Sequence, residues 1–572
     1  MSIVIKIVMD TNKLISITIL IMLNNNFVIK GHILSVADKT LIDGELYVKN
    51  GKIEDIIPIP DIDSNAPYIL PGLIDSHVHI ESSMLLPPQY AKEAVRHGIV
   101  GAVCDPHEIA NVCGTQGINF MIENSKQSCF HFAFTAPSCV PATNFETSGY
   151  TLNSQDVKQL LEKKEIYALA EMMNFPGVLN KNEEVLRKIE YAKQVGKPID
   201  GHAPMLEDKD ILAYSLAGIS TDHESSSYVE AETKIKYGIK CLIREGSAAK
   251  NFDNLWQLID KYPTMTMFCS DDIHPNELQN SYIDTLVKRS MEKGLSLFNI
   301  LQTSSLNPIS HYKLPIGILR KDDQADFIVV NNLKYFEIQS TFISGKQVFD
   351  KTNNNLVCND LLSDNTNIIN NFNRSEITET DIKLIAQTSA IKVIKAKDKE
   401  LYTESIVCNA KIQDNFVVSD TKNDILKLVV CNRYNNTKPA VAFINGFGLK
   451  NGAMASTIAH DSHNIIAVGT SDELIVKVIN QLVANKGGIC ITNGEKTETL
   501  PLPIAGLMSN ETIDVVSSKY ESLNNFAKSL GCKMNAPFMT MAFMALLVIP
   551  EIKLSDKGLF DAKSFEFTSV FA

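Results

Sequence analysis

Between residues 71 and 272 one pattern recurs eight times: a short apolar run ends in polar or titratable residues, and a helix-like stretch usually follows. The runs are IDSHVH, HGIVGAVCDPHE, CFHFAFTAPS, EIYALAE, KPIDGHAP, GISTDHE, KCLIREGS and TMTMFCSDD. Apolar runs alternating with helical segments read as βα units on a parallel sheet. Eight of them predict an α/β fold, a (β/α)8 barrel over residues 71–314, with its active site at the C-terminal ends of the strands. Polar loop residues are expected there in any case. The particular order His, His; Asp, His, Glu; Glu; His; His; Arg, Glu; Asp is not.

The first run ends in His77 and His79. Residues two apart on a strand face the same side, so two imidazoles emerge together where the strand finishes. Alone, a His-x-His pair is as often structural as functional. Glu171 ends the fourth run, His202 the fifth, His223 the sixth and Asp271 the eighth. Four imidazoles and two carboxylates suit a pair of divalent first-row ions, with one carboxylate bridging and open positions left for water.

The flanks are of another kind. Residues 27–70 and 315–349 read as short strands with turns, Gly44 and Asn50-Gly51 being hairpin signals. Together they predict a composite, split β-sandwich domain around the barrel. Residues 350–378 are rich in Asn and Asp and read as a linker. Residues 379–572 mix strands (AVAFINGFG, NIIAVG) with a helix (SDELIVKVINQLVANKGG) and predict an additional C-terminal α+β domain. Residues 1–26 stand apart as an N-terminal extension. Its apolar stretch, residues 14–23, is shorter than the about 20 residues a membrane span needs. It lacks the basic start and cleavage site of a signal peptide. Two readings stay open, an extra element or translation starting at Met22.

Composition narrows the partners. With 54 basic against 66 acidic residues and no basic block, neither nucleic acid nor an anionic membrane is the expected partner. The 11 cysteines form no Cys-x-x-Cys pair, which reads as reduced thiols in a cytoplasmic protein.

Longer blocks sharpen the picture: His77-Val-His-Ile-Glu81-Ser-Ser83, Asp105-Pro-His-Glu108-Ile-Ala-Asn111, Glu171-Met-Met-Asn-Phe-Pro-Gly177, Asp200-Gly-His-Ala203, Asp222-His-Glu224 and Arg244-Glu-Gly-Ser-Ala-Ala249. With Ala459-His-Asp-Ser-His-Asn464 and Pro537-Phe-Met539, they resemble the prokaryotic adenine deaminase family of the amidohydrolase superfamily over residues 27–572. Many superfamily members carry a carboxylated lysine where Glu171 stands, and a Gly expected before Ala325-Asp326 is absent here.

The resemblance implies purine salvage: hydrolysis of adenine to hypoxanthine and ammonia by a metal-bridged hydroxide. The ions would be two divalent metals, Mn2+ first and Fe2+ second, on His77, His79, Glu171, His202, His223 and Asp271. Asp271 would carry the proton from the nucleophile to the leaving nitrogen, with Asp272 its rival. Glu81 would accept a hydrogen bond from the purine. Asp105, His107 and Glu108 are either a charged loop and helix start, or a proton relay or auxiliary metal site beside the pair. Arg244 and Glu245 read as a salt bridge at the barrel mouth. His460 and His463 contribute only if the third region folds over that mouth as a lid. A homodimer is the expected assembly. The alternatives are another cyclic amide or amidine hydrolase of the superfamily, which Glu171 disfavours, and an inactive scaffold, which the full ligand set disfavours.

Overall fold

The computed structural model describes residues 26–356 and 368–572, apart from 207, 248, 354 and 399. The N-terminal extension, but for residue 26, and the middle of the Asn-rich stretch lie outside the described residues. The rest divides into two compact units, with breaks between Gly72 and Leu73 and between Leu314 and Pro315.

The first unit is one eight-stranded sheet assembled from both flanks. Phe27–Ser35 pairs antiparallel with Thr40–Lys49, which pairs with Lys52–Pro58. On its other side it lies parallel to Tyr68–Pro71, and that strand takes Phe327–Val330 antiparallel. Ile338–Ile343, Lys346–Asp350 and the short Asn355–Leu356 complete the order. The turn at Asn50-Gly51 has φ of 52° and 80°, the left-handed pair a tight hairpin turn demands. Alternate residues of the long strands, among them Phe27, Ile29, Leu46 and Val48, join Phe327 and Phe342 in one buried cluster. The rings of Phe327 and Phe342 stack at 4.5 Å. The last strands of this sheet run into the stretch expected to be a linker.

In the second unit all eight expected runs are parallel strands. Five form one sheet: Leu73–Val78, Ile99–Cys104, His131–Ala136, Ile166–Met172 and Ile199–Gly201. Three form another: Thr221–Asp222, Lys240–Arg244 and Thr266–Cys269. The two sheets approach at both ends. The Ser220 N–H donates to the Ile199 carbonyl at 2.9 Å. On the far side the Asp271 N–H donates to the His77 carbonyl at 2.9 Å, and the His79 N–H to the Asp271 carbonyl at 3.2 Å. Buried Asp75 reinforces the second junction, taking hydrogen bonds from Ser270 and from the Tyr282 hydroxyl. Asp200 does the same for the first, accepting from Thr221 at 2.8 Å and Tyr312 at 2.9 Å.

The C-terminal part of this unit is a second eight-stranded sheet, mostly antiparallel. Helix Asp472–Asn485 lies on it, burying Ile475, Val478, Ile479 and Leu482, the i, i+3, i+4, i+7 stripe of an amphipathic helix. Ser471 caps its start by accepting the Leu474 N–H. This part packs on the parallel-strand part through polar and ring contacts. Asn464 donates to the Thr147 carbonyl at 2.9 Å, and the ring of Phe145 lies 4.7 Å from that of Phe560. The end of the Asn-rich stretch is pinned here too: Asn371 donates to the Val112 carbonyl, and Arg374 to the carbonyls of Asn435 and Thr437. Among the described residues no helix is long and apolar enough to cross a membrane.

Lys553, on strand Ile552–Ser555, is fully buried, and its Nζ donates to the Leu401 carbonyl at 2.7 Å. Burial lowers its ammonium from the ordinary 10.5 to about 7. The folded chain therefore binds fewer protons than the unfolded one between those values, so this group's penalty is full below pH 7 and vanishes near pH 10.5. Lys553→Met removes that penalty, of order 2–4 kcal/mol, along with one hydrogen bond. The variant's thermal midpoint relative to wild type should be clearly higher at pH 6.5 than at pH 9.5; a pH-independent difference would contradict the buried-amine account.

Candidate metal centre

Strand geometry delivers the donors. His77 and His79 leave the first strand edge to face, with ring centres 4.8 Å apart and planes at 90°. The Asp105 carbonyl takes the Nδ1 proton of His79 at 3.0 Å, which fixes the tautomer and leaves the Nε2 lone pair facing inward. Glu171 sits between two histidine pairs. Its Oε1 lies 3.4 Å from His79 Nε2 and 4.0 Å from His77 Nε2. Its Oε2 lies 2.6 Å from His202 Nδ1 and 3.2 Å from His223 Nε2. Asp271 closes the group, with Oδ1 3.0 Å from His79 Nε2 and 3.4 Å from His77 Nε2. A positive φ of 59° at Asp271 turns its side chain back toward these rings.

These groups fit divalent cations. The His77–His223–Asp271 and Glu171–His202–His223 donors each lie within 4.8 Å of one another, and so do His79, Asp105, His107 and Glu171. All are buried except His202, which is half-buried. His77 Nε2 is buried without a hydrogen-bond partner, aimed at two carboxylates. Burial and His223 lower His77, favouring its neutral form, whereas other rings of the group favour the protonated one. Against the effect of burial, Asp271 and Glu171 hold the His79 imidazolium well above its ordinary range, and Glu224 and Glu171 raise His202 to about 9. Metal and proton compete for one set of lone pairs.

Around this centre the second-strand residues are drawn in. His107 Nδ1 lies 3.1 Å from Asp105 Oδ2 and 3.5 Å from Glu171 Oε1. Arg244 donates to Asp271 Oδ2 at 2.6 Å and to Glu224, so it does not pair with Glu245, which meets Arg289 at 2.8 Å. Neighbours along a strand point to opposite faces, which forbids the expected Arg244–Glu245 bridge. Asp272 turns away from Asp271 and accepts from the Ser82 hydroxyl at 2.6 Å. That hydroxyl also lies 3.2 Å from Glu108.

Glu81 lies one layer deeper than expected. The turn Ile80–Ser83 directs it under the helix His107–Ser125, where its Oε1 accepts the Ile109 N–H at 3.2 Å. Burial and nearby Glu108 push it up to about 8. The wall of the central cavity, about 40 Å³, has Glu108 and Asp272 where Glu81 was expected.

The third region does reach this cavity. His460 Nδ1 lies 3.2 Å from Glu108 Oε1, and its ring stacks on Phe543 at 4.4 Å. Working against burial, His460 holds the Glu108 carboxyl well below the usual range. His463 Nε2 lies 3.9 Å from Glu108 Oε2, while its Nδ1 accepts the Ala459 N–H. Glu108, His460 and His463 thus form a further buried group whose donor atoms lie within 4.8 Å of one another. Beyond the cavity lies a chamber of about 480 Å³, and His202, Glu224 and Arg244 line both. Asp75, Asp200 and Glu224 were not among the expected site residues. Their signal was present, an acidic residue inside or just after an apolar run.

Comparison with known proteins agrees with this geometry. Residues 68–348 match the amidohydrolase family, and residues 400–566 the adenine deaminase C-terminal domain. The chain is 49% identical to an adenine deaminase of Methanosarcina mazei over 95% of its length and 99% of the relative's. It is 46% identical to one of Parabacteroides distasonis (95% and 98%) and 45% identical to one of Borreliella burgdorferi (95% and 99%). An amidohydrolase fold, a buried imidazole–carboxylate centre and near-complete relatives at this identity place the chain in the adenine deaminase family.

Proposed function

We propose that the chain hydrolyses adenine to hypoxanthine and ammonia at the Glu171 centre. Near full-length identity to adenine deaminases carries this reading, and the donor geometry supplies its chemistry. The parallel strands are read as a closed (β/α)8 barrel over residues 71–314, and residues 27–70 and 315–349 as a separate composite β domain. The third region, residues 379–572, closes the site from above.

His77, His79, His202, His223, Glu171 and Asp271 would hold two divalent ions, Glu171 presenting one oxygen to each histidine pair. The mixed nitrogen and oxygen set suits Mn2+, Fe2+ or Zn2+, with manganese proposed, and such ions supply Lewis acidity and a water that is nucleophilic at neutral pH. Asp271 takes one proton of the attacking water through Oδ1 and delivers it to the departing amine. Arg244, bound to Oδ2, keeps Oδ1 turned to the reacting centre. The water oxygen becomes the C6 carbonyl of hypoxanthine, and its second proton ends on ring N1. Glu81 acts through Glu108, beside which it is buried, and does not touch the base.

Steady-state ammonia release from adenine, measured on apo-protein reloaded with Mn2+, Fe2+ or Zn2+, is the decisive assay. Turnover with at least one ion is expected; inactivity with all three, in protein that has bound them, would sink the reading. Asp271→Asn should lower kcat by about 10³-fold or more.

Elemental analysis separates the two kinds of histidine. Glu171→Gln should lower bound metal to less than half of wild type, because both histidine pairs lose their shared carboxylate. His460→Ala should keep the wild-type metal content yet lose at least about tenfold in kcat/KM. Metal loss in His460→Ala would show that its ring serves the ions directly.

A further inference from the structure

The central cavity has two unlike ends. His202, Glu224 and Arg244 stand where it meets the outer chamber. His107, Glu108, His460 and Asp461 line the cavity but not the chamber, and each is at most 4% exposed, so their end is shut off from solvent. Two carboxylates there, Glu108 and Asp461, each leave one buried oxygen without a hydrogen-bond partner, and Glu108 at least faces His460 and His463. Asp461 is 3% exposed, and its Oδ2 is the buried oxygen with no hydrogen-bond partner. Its Oδ1 lies 4.0 Å from His107 Nε2 and 3.8 Å from His460 Nδ1, both beyond hydrogen-bond reach. Nor is Asp461 needed to orient those rings. His107 is already held by Asp105 and His460 by Glu108.

A buried carboxylate oxygen left without a donor is costly, and proteins retain such groups where a ligand brings the donor. The cavity's apolar lining includes Phe543 and Leu546, with Leu401, Val548 and Ile549 shared with the chamber. They suit the faces of a flat heteroaromatic ring, and leave its edge to be read by the polar end.

A purine with C6 at the Glu171 centre can lie in two ways. With its imidazole ring outward, N9 would point into the 480 Å³ chamber, which has room for a sugar. With its imidazole ring inward, N9 meets the closed end, and a substituent there has no space.

We propose that Asp461 is the residue that selects the free base: its carboxylate accepts the N9–H of adenine at the closed end, so bases substituted at N9 are excluded. The proposal rests on the adenine-hydrolysis reading. It assigns the C-terminal domain a direct part in substrate choice through a residue that holds no metal.

The test compares adenine with 9-methyladenine and adenosine, as kcat and KM, for wild type, Asp461→Asn and Asp461→Ala, with metal content measured in each. Wild type should prefer adenine by about 10³-fold or more in kcat/KM. Asp461→Ala should lose about 30- to 100-fold on adenine, mainly as a rise in KM. Its discrimination against 9-methyladenine should shrink by the same factor, with metal content unchanged. Asp461→Asn keeps a neutral acceptor oxygen and should lose about tenfold. A wild-type KM for adenine in Asp461→Ala, a loss confined to kcat, or unaltered discrimination would each overturn the proposal. Should the variants not fold, calorimetric binding of hypoxanthine and 9-methylhypoxanthine to wild type decides it, and equal affinities refute it. Absence of wild-type turnover would refute the reaction instead, while that binding comparison would still judge Asp461.

Discussion

The site depends on Glu171, a single carboxylate held between two pairs of imidazoles. At 3% exposure its charge is removed from water, and that removal is tolerable only with positive or hydrogen-bonding partners on both oxygens. One oxygen faces the first-strand pair and the other faces the histidines of the fifth and sixth strands. Those contacts tie together side chains whose strands lie on different sides of the parallel array. The array in turn is tied by Asp75 and Asp200, buried carboxylates bound to hydroxyl groups across the two junctions between the sheets. Burial raises Asp75 to about 6 and Asp200 to about 7. They are held by neutral hydroxyl donors, whereas Glu171 and Asp271, ringed by cationic groups, are driven well below the ordinary carboxylate range against the effect of burial. The same residue type thus serves as a girder in one layer and an anion in the next.

Much of this was legible from the chain alone, and the reason is local. All but the third of the parallel strands are apolar runs that end in a side chain of the candidate site, so strand and site are legible from the same few residues. The helix after Ser471 was legible likewise, from its periodicity and its cap. What the sequence hid depends on direction and distance. Glu81 follows the metal-donor histidines closely, yet the turn at Ile80–Ser83 carries it under a helix and sets Glu108 before it. Arg244 and Glu245 are adjacent in sequence and diverge in space, because successive strand residues alternate faces. Asp75 lies inside an apolar run, where a pattern of burial alone assigns it no role.

The third region was the least legible. Its His-Asp-Ser-His stretch has a suggestive spacing, but nothing in local sequence tells that residues nearly two hundred positions past Asp271 will meet Glu108. That meeting is a product of tertiary packing: a ring stack on Phe543, a hydrogen bond from Asn464 to the Thr147 carbonyl, and an aromatic cluster around Phe145 and Phe560. The Asn-rich stretch shows the same limit. Its composition suggests a free linker, yet Asn370, Asn371 and Arg374 are bound by side-chain hydrogen bonds to backbone carbonyls.

The order of these parts along the chain has a consequence for how the protein is made. Every donor of the Glu171 centre, from His77 to Asp271, emerges from the ribosome before any residue of the His-Asp-Ser-His wall. The nascent chain thus carries the whole buried imidazole–carboxylate set while the stretch that meets Glu108 is still to be made. Synthesis on this plan is vectorial: the residues around Glu171 come first, and the stretch that packs against Glu108 is added last.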